Sequence, residues 1–382
     1  MIKIAVDTFA TRPPWNCGGI YEYTRQLLCC FGRLSSELDC DITALVGKDY
    51  TSLIEGLQRT SSFRTRVCAG IDQARFWRYG GCGWQSQRLR ADAVLLTNPD
   101  VLPFAMPPYA VMIHDVPFLN TNSYSGFKNW RFRALTGHIA HGASRILANS
   151  EYTKSDIVRH LGVAPEKVAV TPLSYNRSLY NTEPVDDVLR QAIAARWNLQ
   201  RPYILHCGTL QARKNLVRLI KAYDELLNQN RTMEFDLVLA GMMGWQHEPI
   251  LQAASRVSAP GRVVLTRSLP ETELSALVKG ATLCVIPSLY EGFCLPMLES
   301  MACGVPTVVA NNSCLPEVSG GVLRYFDAES VEQIAETIRA VLESASEQQR
   351  LRQAGLNRAA EFSWERCARQ TLQVLQQVAS GS

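Results

Sequence analysis

No stretch of this 382-residue chain reaches about 18 uninterrupted apolar residues, so no helix written in it is long enough to cross a bilayer. The opening MIKIAVDTFA is a short β-type run without the apolar core of a signal peptide, which leads us to expect a cytoplasmic protein. Net charge is only +4 and the basic residues are dispersed, so nucleic acid is not an expected partner. The 12 cysteines form no Cys-x-x-Cys pair and no zinc-ligand spacing. Several sit inside apolar runs, Cys207 in YILHCG and Cys284 in ATLCVIP, as small buried hydrophobes in a reducing compartment would. There is no low-complexity tract, no short tandem repeat and no Gly-x-Gly-x-x-Gly fingerprint.

What is present is a globular composition, 47% hydrophobic and 19% charged, long enough for two domains of average size. Short apolar runs alternate with helical patterns, which predicts parallel sheets covered by helices, an α/β fold. Strands are expected at Ile2–Val6, Asp41–Val46, Ala93–Thr97, Ala110–His114, Arg145–Ala148 and Val168–Thr171. After a less regular connection at Pro172–Arg201 the rhythm restarts, with strands at Tyr203–Cys207, Phe235–Ala240, Arg262–Leu265, Leu283–Ile286 and Thr307–Ala310. Two doubly wound sheets predict two Rossmann-like lobes with a ligand cleft at the strand carboxyl ends. The expected domains are residues 1–180, completed by a C-terminal helix over 363–382, and residues 196–362. Helices are expected to open at the Gly18-Gly19 turn, at Ser150 and at Ser363.

Four constellations carry candidate chemistry. In SLYEGFCLPMLESMACGVPTV, residues 288–308, Glu291 follows a strand and Glu299 lies on the next helix. That spacing is about two turns and suggests both carboxylates along one helix side, with the backbone N–H groups of Gly292-Phe293-Cys294-Leu295 between them as an anion or hydroxyl site. An ionised carboxylate only accepts hydrogen bonds, which suits sugar and ribose hydroxyls. In GTLQARKNL, Gly208 turns directly after a strand, and Arg213 with Lys214 stands where two cations would clamp a diphosphate. In TRPPWNCGGIYEYTRQLL, Gly18 and Gly19 precede a helix and could bring N–H groups against phosphate, with Trp15 and Tyr21 close by for an acceptor or for packing. His114, at the end of AVMIHD, sits where a strand tip meets a crevice and can hold a sugar hydroxyl. Each motif alone has an ordinary structural reading; their joint occurrence after strands favours a site.

Together these pieces resemble the retaining glycosyltransferases of family 4, of GT-B architecture. The resemblance runs through GGI, IHD, ANSEYTKSDI, GTLQARKNL, LAGMMGW, PSLYEGFCLPMLESMACGVP, CLPEVSG and FSWERCA, in the family's order over nearly the whole chain. It implies a nucleotide-diphosphate sugar as donor, Glu291 on the donor sugar, Glu299 on the nucleotide ribose, the diphosphate on Arg213 and Lys214, and His114 near the sugar. Cys294 stands where the family carries the last glycine of EGFG, so a side chain is expected at the sugar pocket. The RKN and AGMMGW wording is similar to that of enzymes using GDP-mannose or related donors in bacterial polysaccharide assembly. No cofactor or metal is implied, because a basic pair stands where metal-dependent sugar transferases carry an Asp-rich motif, and the chain is read as having no Asp-x-Asp triplet. Other readings of the same fold are a nucleotide-sugar epimerase, or a nucleotide-sugar-binding protein without activity.

The implied acceptor is a glycan or a polyprenyl-diphosphate-linked glycan. Two stretches of interleaved rings and cations, Arg75-Phe76-Trp77-Arg78-Tyr79 continuing to Trp84, Arg88 and Arg90, and Phe127-Lys128-Asn129-Trp130-Arg131-Phe132-Arg133, suit peripheral contact with an anionic membrane at its inner face. The competing reading is that Phe76, Trp77, Trp130 and Phe132 are core residues.

Overall fold

A computed structural model gives the three-dimensional structure, which describes residues 1–11, 18–35, 37–47, 64–68, 74–116, 126–230, 232–259 and 261–381. Trp15 lies outside them, as do the side chains of Phe127 and Lys128. The chain forms two compact units, Met1–Leu173 with Ser363–Ser382, and Ser174–Phe362.

The first unit holds a seven-stranded parallel sheet: β1 (Ile2–Asp7), β2 (Cys40–Val46), β3 (Arg64–Val67), β4 (Ala93–Leu96), β5 (Tyr109–Ile113), β6 (Arg145–Ala148) and β7 (Val168–Val170), in the order β3-β2-β1-β4-β5-β6-β7. The second holds six parallel strands: β8 (Tyr203–Cys207), β9 (Asp236–Ala240), β10 (Val263–Arg267), β11 (Leu283–Ile286), β12 (Thr307–Ala310) and β13 (Arg324–Phe326), in the order β10-β9-β8-β11-β12-β13. Strands covered by helices on both faces read as unbroken apolar runs, and Ala93–Leu96 and Leu283–Ile286 are buried at every residue. In each sheet the strand order reverses once, between β1 and β4 and between β8 and β11, where open α/β sheets bind ligands.

Helix starts follow local chemistry. Ser150 accepts from the Thr153 N–H at 3.0 Å and Ser363 from the Arg366 N–H at 3.4 Å, so both serines cap helices as expected. Three expectations need correction. Residues 172–201 are not merely a connection: a helix runs over Asp187–Trp197, capped by Asp186, and it buries only Ile193, which leaves a weak apolar pattern to read. Strands β3 and β13 escape a reading of apolar runs because both are short and lie at sheet edges. An Asp-x-Asp triplet does occur, Asp39-Cys40-Asp41, but it opens β2, and Asp39 pairs with the N-terminal ammonium at 2.9 Å. It stands at the amino end of a strand, away from the switch point.

Candidate active site

In the second unit, β8 and β11 are hydrogen-bonded neighbours, so the loops after them emerge side by side. The loop after β8 turns at Gly208, whose φ of +141° favours glycine, and the loop after β9 turns at Gly241, φ +155°. These two loops run together through Leu210 N–H to Met242 O at 2.8 Å and Gly244 N–H to Leu210 O at 2.9 Å. Arg213 and Lys214 then fall in a single helical turn, Ala212–Lys214, ahead of the helix Leu216–Gln229.

Asn215 fixes this turn. It adopts a left-handed conformation, φ +59°, and its Nδ2 donates to Pro287 O at 3.0 Å and Ala328 O at 2.6 Å. The Leu289 N–H donates to Arg213 O at 2.9 Å, stitching the basic turn to the loop after β11. Asn215 therefore ties the two loops together and does not cap the helix with its side chain.

Glu291 lies in that second loop, before the helix Leu295–Ala302, and not on the helix as its spacing from Glu299 suggested. The residue is 4% exposed, and both carboxylate oxygens accept hydrogen bonds. Oε1 takes Lys214 Nζ and Ser288 Oγ, the latter at 2.6 Å, and Oε2 takes Arg213 Nη1 at 3.1 Å. Arg213 Nη1 also donates to Tyr290 O at 2.9 Å, and the Glu291 N–H donates to Ser313 Oγ at 3.1 Å. Burial alone would push this carboxyl up, but Lys214 and then Arg213 hold it down at about 2 against an ordinary 4.5. A buried carboxylate is costly unless paired and hydrogen-bonded, and two cations and a hydroxyl offset that cost here. The sequence reading gave the cations to a diphosphate and the glutamate to a sugar; the fold joins all three directly.

After Glu291 the chain reaches Cys294, φ +71°, ahead of the first helical residue, Leu295. Among the described residues, none of the backbone hydrogen bonds closing this loop uses the N–H of Phe293, Cys294 or Leu295, and Pro296 has none to give. These three donors head the helix, where the dipole favours an anion. Phe293 is held edge-on by Phe362 at 5.7 Å. Cys294 is 7% exposed, and burial, then Glu291, push its thiol well up. Its left-handed backbone explains a glycine in EGFG, since glycine adopts that conformation without strain. Glu299 is half-buried on the helix, and its charge adds to burial in pushing the Tyr180 phenol up.

His114, Gly18 and Gly19 belong to the first unit. His114 follows β5; its Nε2 is 3.1 Å from Thr97 O, and Tyr23 meets its ring edge-on at 4.9 Å. A carbonyl only accepts, so Nε2 carries the proton and Nδ1 is the acceptor nitrogen. Burial holds this imidazole below its ordinary pKa, with Asp115 and Asp100 opposing. Gly18 has φ +85° immediately before the helix Gly19–Leu34, and both glycines are exposed.

Residues the motifs did not flag complete the second-unit site: Ser288, Asn215, Ser313 and His206. Ser288 lies within the quoted motif, three residues before Glu291, whereas His206 carries no local signal.

The two parallel α/β units have the fold of the GT-B glycosyltransferases. The structure matches that of Anabaena HepE in complex with UDP and glucose at a TM-score of 0.76, with 16% identity over 99% of this chain and 100% of that one. The family described as glycosyl transferases group 1 matches residues 190–358, which hold His206, Arg213, Lys214, Glu291, Cys294 and Glu299. The O-antigen chain mannosyltransferase B of Escherichia coli is 30% identical over 273 residues, 71% of each chain. The MMP α-(1→4)-mannosyltransferase of Mycolicibacterium hassiacum is 30% identical over 247 residues, 64% of this chain and 56% of that one. The chain belongs to the group 1 glycosyltransferase family.

Proposed function

We propose that this enzyme transfers mannose or a related hexose from a nucleotide-diphosphate sugar, GDP-linked in the first instance, to a glycan or polyprenyl-diphosphate-linked acceptor in surface polysaccharide assembly. The relatives named as mannosyltransferases support the sugar. The observation that carries the reading is the cluster of half-buried Arg213 with buried Lys214 and Glu291, beside the N–H groups of Phe293, Cys294 and Leu295.

The hard part of glycosyl transfer is charge: the sugar becomes oxocarbenium-like while the diphosphate leaves. Arg213, Lys214 and the helix-head N–H groups are pre-organised donors for that leaving group. The same cations supply the positive charge that a divalent ion otherwise provides, so the reaction proceeds without one. Glu291 is a poor nucleophile, because Lys214, Ser288 and Arg213 occupy its oxygens and its carboxyl is held at about 2. That favours retention by same-face attack of the acceptor hydroxyl over a covalent glycosyl-enzyme. Glu291 then serves to hold the cations and the donor sugar, Glu299 to hold the ribose, and His114 to accept from a sugar hydroxyl. The second unit is read as the donor domain and the first as the acceptor domain, working at the inner face of an anionic membrane through peripheral contact.

Thermal-shift measurements with GDP, UDP and ADP test the donor, because a ligand bound only by the folded state raises Tm. GDP is expected to give the largest shift. Arg213→Ala and Lys214→Ala should each slow transfer about ten- to a hundredfold, the loss of a charge-assisted contact at a buried anion. Full activity in both variants would refute the diphosphate assignment.

A further inference from the structure

His206 is the penultimate residue of β8, 1% exposed, and no motif drew attention to it. Its Nδ1 lies 3.0 Å from Val285 O on β11. The carbonyl can only accept, so Nδ1 carries the proton of the neutral ring and Nε2 carries the lone pair. Burial holds the imidazole down at about 4, opposed by the Val285 bond and reinforced by Lys214, so the ring is neutral at physiological pH. Nε2 is closed to solvent and has no partner among the described residues.

An orphaned buried acceptor is uncommon and asks for a reason. Its surroundings supply one. A Cβ placed on Gly208 would lie 3.7 Å from His206 Nε2, 3.6 Å from Lys214 Cε and 3.8 Å from Lys214 Nζ. The ring nitrogen and the ammonium thus border one small space above Gly208, which a side chain at 208 would fill. An ammonium has three N–H donors, and Glu291 Oε1 takes one of those on Lys214.

We propose that His206 is a positioning residue for Lys214, its Nε2 accepting an ammonium N–H when Lys214 turns from Glu291 towards a bound diphosphate. A neutral acceptor suits that task. A carboxylate there would cancel the charge the diphosphate needs, and an apolar side chain would leave a buried N–H unsatisfied. The ligand does not touch His206, since Nε2 is shut off from solvent; the effect passes through Lys214. The inference rests on reading Arg213 and Lys214 as the diphosphate site.

The test uses the full chain and titration calorimetry with GDP and UDP as probes. His206→Asn keeps a donor near the Nδ1 position for Val285 and removes Nε2; His206→Gln places its amide near the Nε2 position. His206→Asn should weaken nucleoside diphosphate binding about tenfold with Tm little changed, and His206→Gln should recover most of that loss. In a Lys214→Ala background, His206→Asn should have no further effect on affinity, because coupled residues are not additive. In the wild-type chain carrying isotope-labelled histidine, GDP should move the Nε2 resonance in the direction of hydrogen-bond acceptance, which keeps the test open should a variant misfold. Equal losses with and without Lys214, or an Nε2 resonance indifferent to GDP, would overturn the role of His206. Unchanged GDP and UDP affinity in Lys214→Ala alone would instead remove the diphosphate site on which it rests.

Discussion

Gly241 and Gly208 stand back to back: a Cβ on Gly241 would lie 2.0 Å from the carbonyl oxygen of Gly208. The contact is backbone against side chain, so no rotamer change relieves it. Gly241 also sits at φ +155°, a conformation that other residues reach only with strain. Gly208 leads directly into the Arg213–Lys214 turn. Gly241→Ala should therefore cost at least about 2 kcal/mol and weaken nucleotide binding with it. Thermal unfolding together with a GDP titration checks both, and a variant with wild-type values for each would contradict the close approach.

Glu291 makes stability depend on acid in a definite direction. Its folded-state carboxyl is held at about 2 against an ordinary 4.5, so the contribution is present above about 4.5 and is lost as pH falls towards 2. Glu291→Gln removes that titration and leaves Lys214 buried without its counter-charge. The variant should melt lower at pH 7, and its Tm should fall less steeply than the wild type's on acidification. Parallel Tm profiles for the two proteins would mean that Glu291 is not the carboxylate that titrates.

Cys294 occupies a left-handed position at φ +71°, where a β-branched side chain is a marked outlier. Cys294→Gly should stay within about 1 kcal/mol of the wild type, relief of strain offsetting the loss of a buried thiol, whereas Cys294→Val should lose more than about 2 kcal/mol. Denaturant titrations of both proteins decide the matter. Equal stability of the Gly and Val variants would show that the backbone there is not constrained.

How far the sequence could be read follows from where each feature's information lies. Strands such as Leu283–Ile286 were legible because burial on both faces writes an unbroken apolar run. Arg64–Val67 and Arg324–Phe326, at sheet edges, carry arginines instead and were missed. Glu291 and Glu299 were legible as a pair because their motif is local. The contact of Lys214 with Glu291 spans 77 residues and exists only because β8 lies beside β11, an adjacency that no local pattern encodes. His206 escaped for a related reason: an unpartnered ring nitrogen is a property of packing. The ring-and-cation stretches were legible in composition but not in orientation.

That orientation bears on the membrane. Trp77 is fully buried and its Nε1 donates to Asp7 Oδ1 at 2.7 Å, so it anchors the stretch from within. Arg78 also turns inward, donating to Asp100 O at 3.0 Å. Phe76, Tyr79 and Trp84 are 49%, 62% and 48% exposed, and Phe104 is 70% exposed; it reaches within 3.5 Å of where a Cβ on Gly80 would stand. Arg75, Arg88 and Arg90 are exposed among these rings, with the Arg88 guanidinium 4.8 Å from the Trp84 ring. On the helix Gly126–Gly142, Trp130 and Phe132 are 64% and 43% exposed, with exposed Arg131 and Arg133 about them. No Asp or Glu occurs between Gln73 and Ala91 or between Val116 and Ser150, so both stretches present cations alone. Exposed rings beside exposed cations fit a headgroup layer carrying negative charge. The chain should therefore co-sediment with vesicles containing anionic lipid and much less with zwitterionic ones. Changing Arg75, Arg88, Arg131 and Arg133 together to Ser should lower partitioning about a thousandfold, at roughly 1 kcal/mol per cation. Trp84→Ser with Phe104→Ser should weaken binding even at low salt, where electrostatic attraction is strongest. Binding that survives both sets of changes, or that is absent from anionic vesicles at low salt, would rule this surface out.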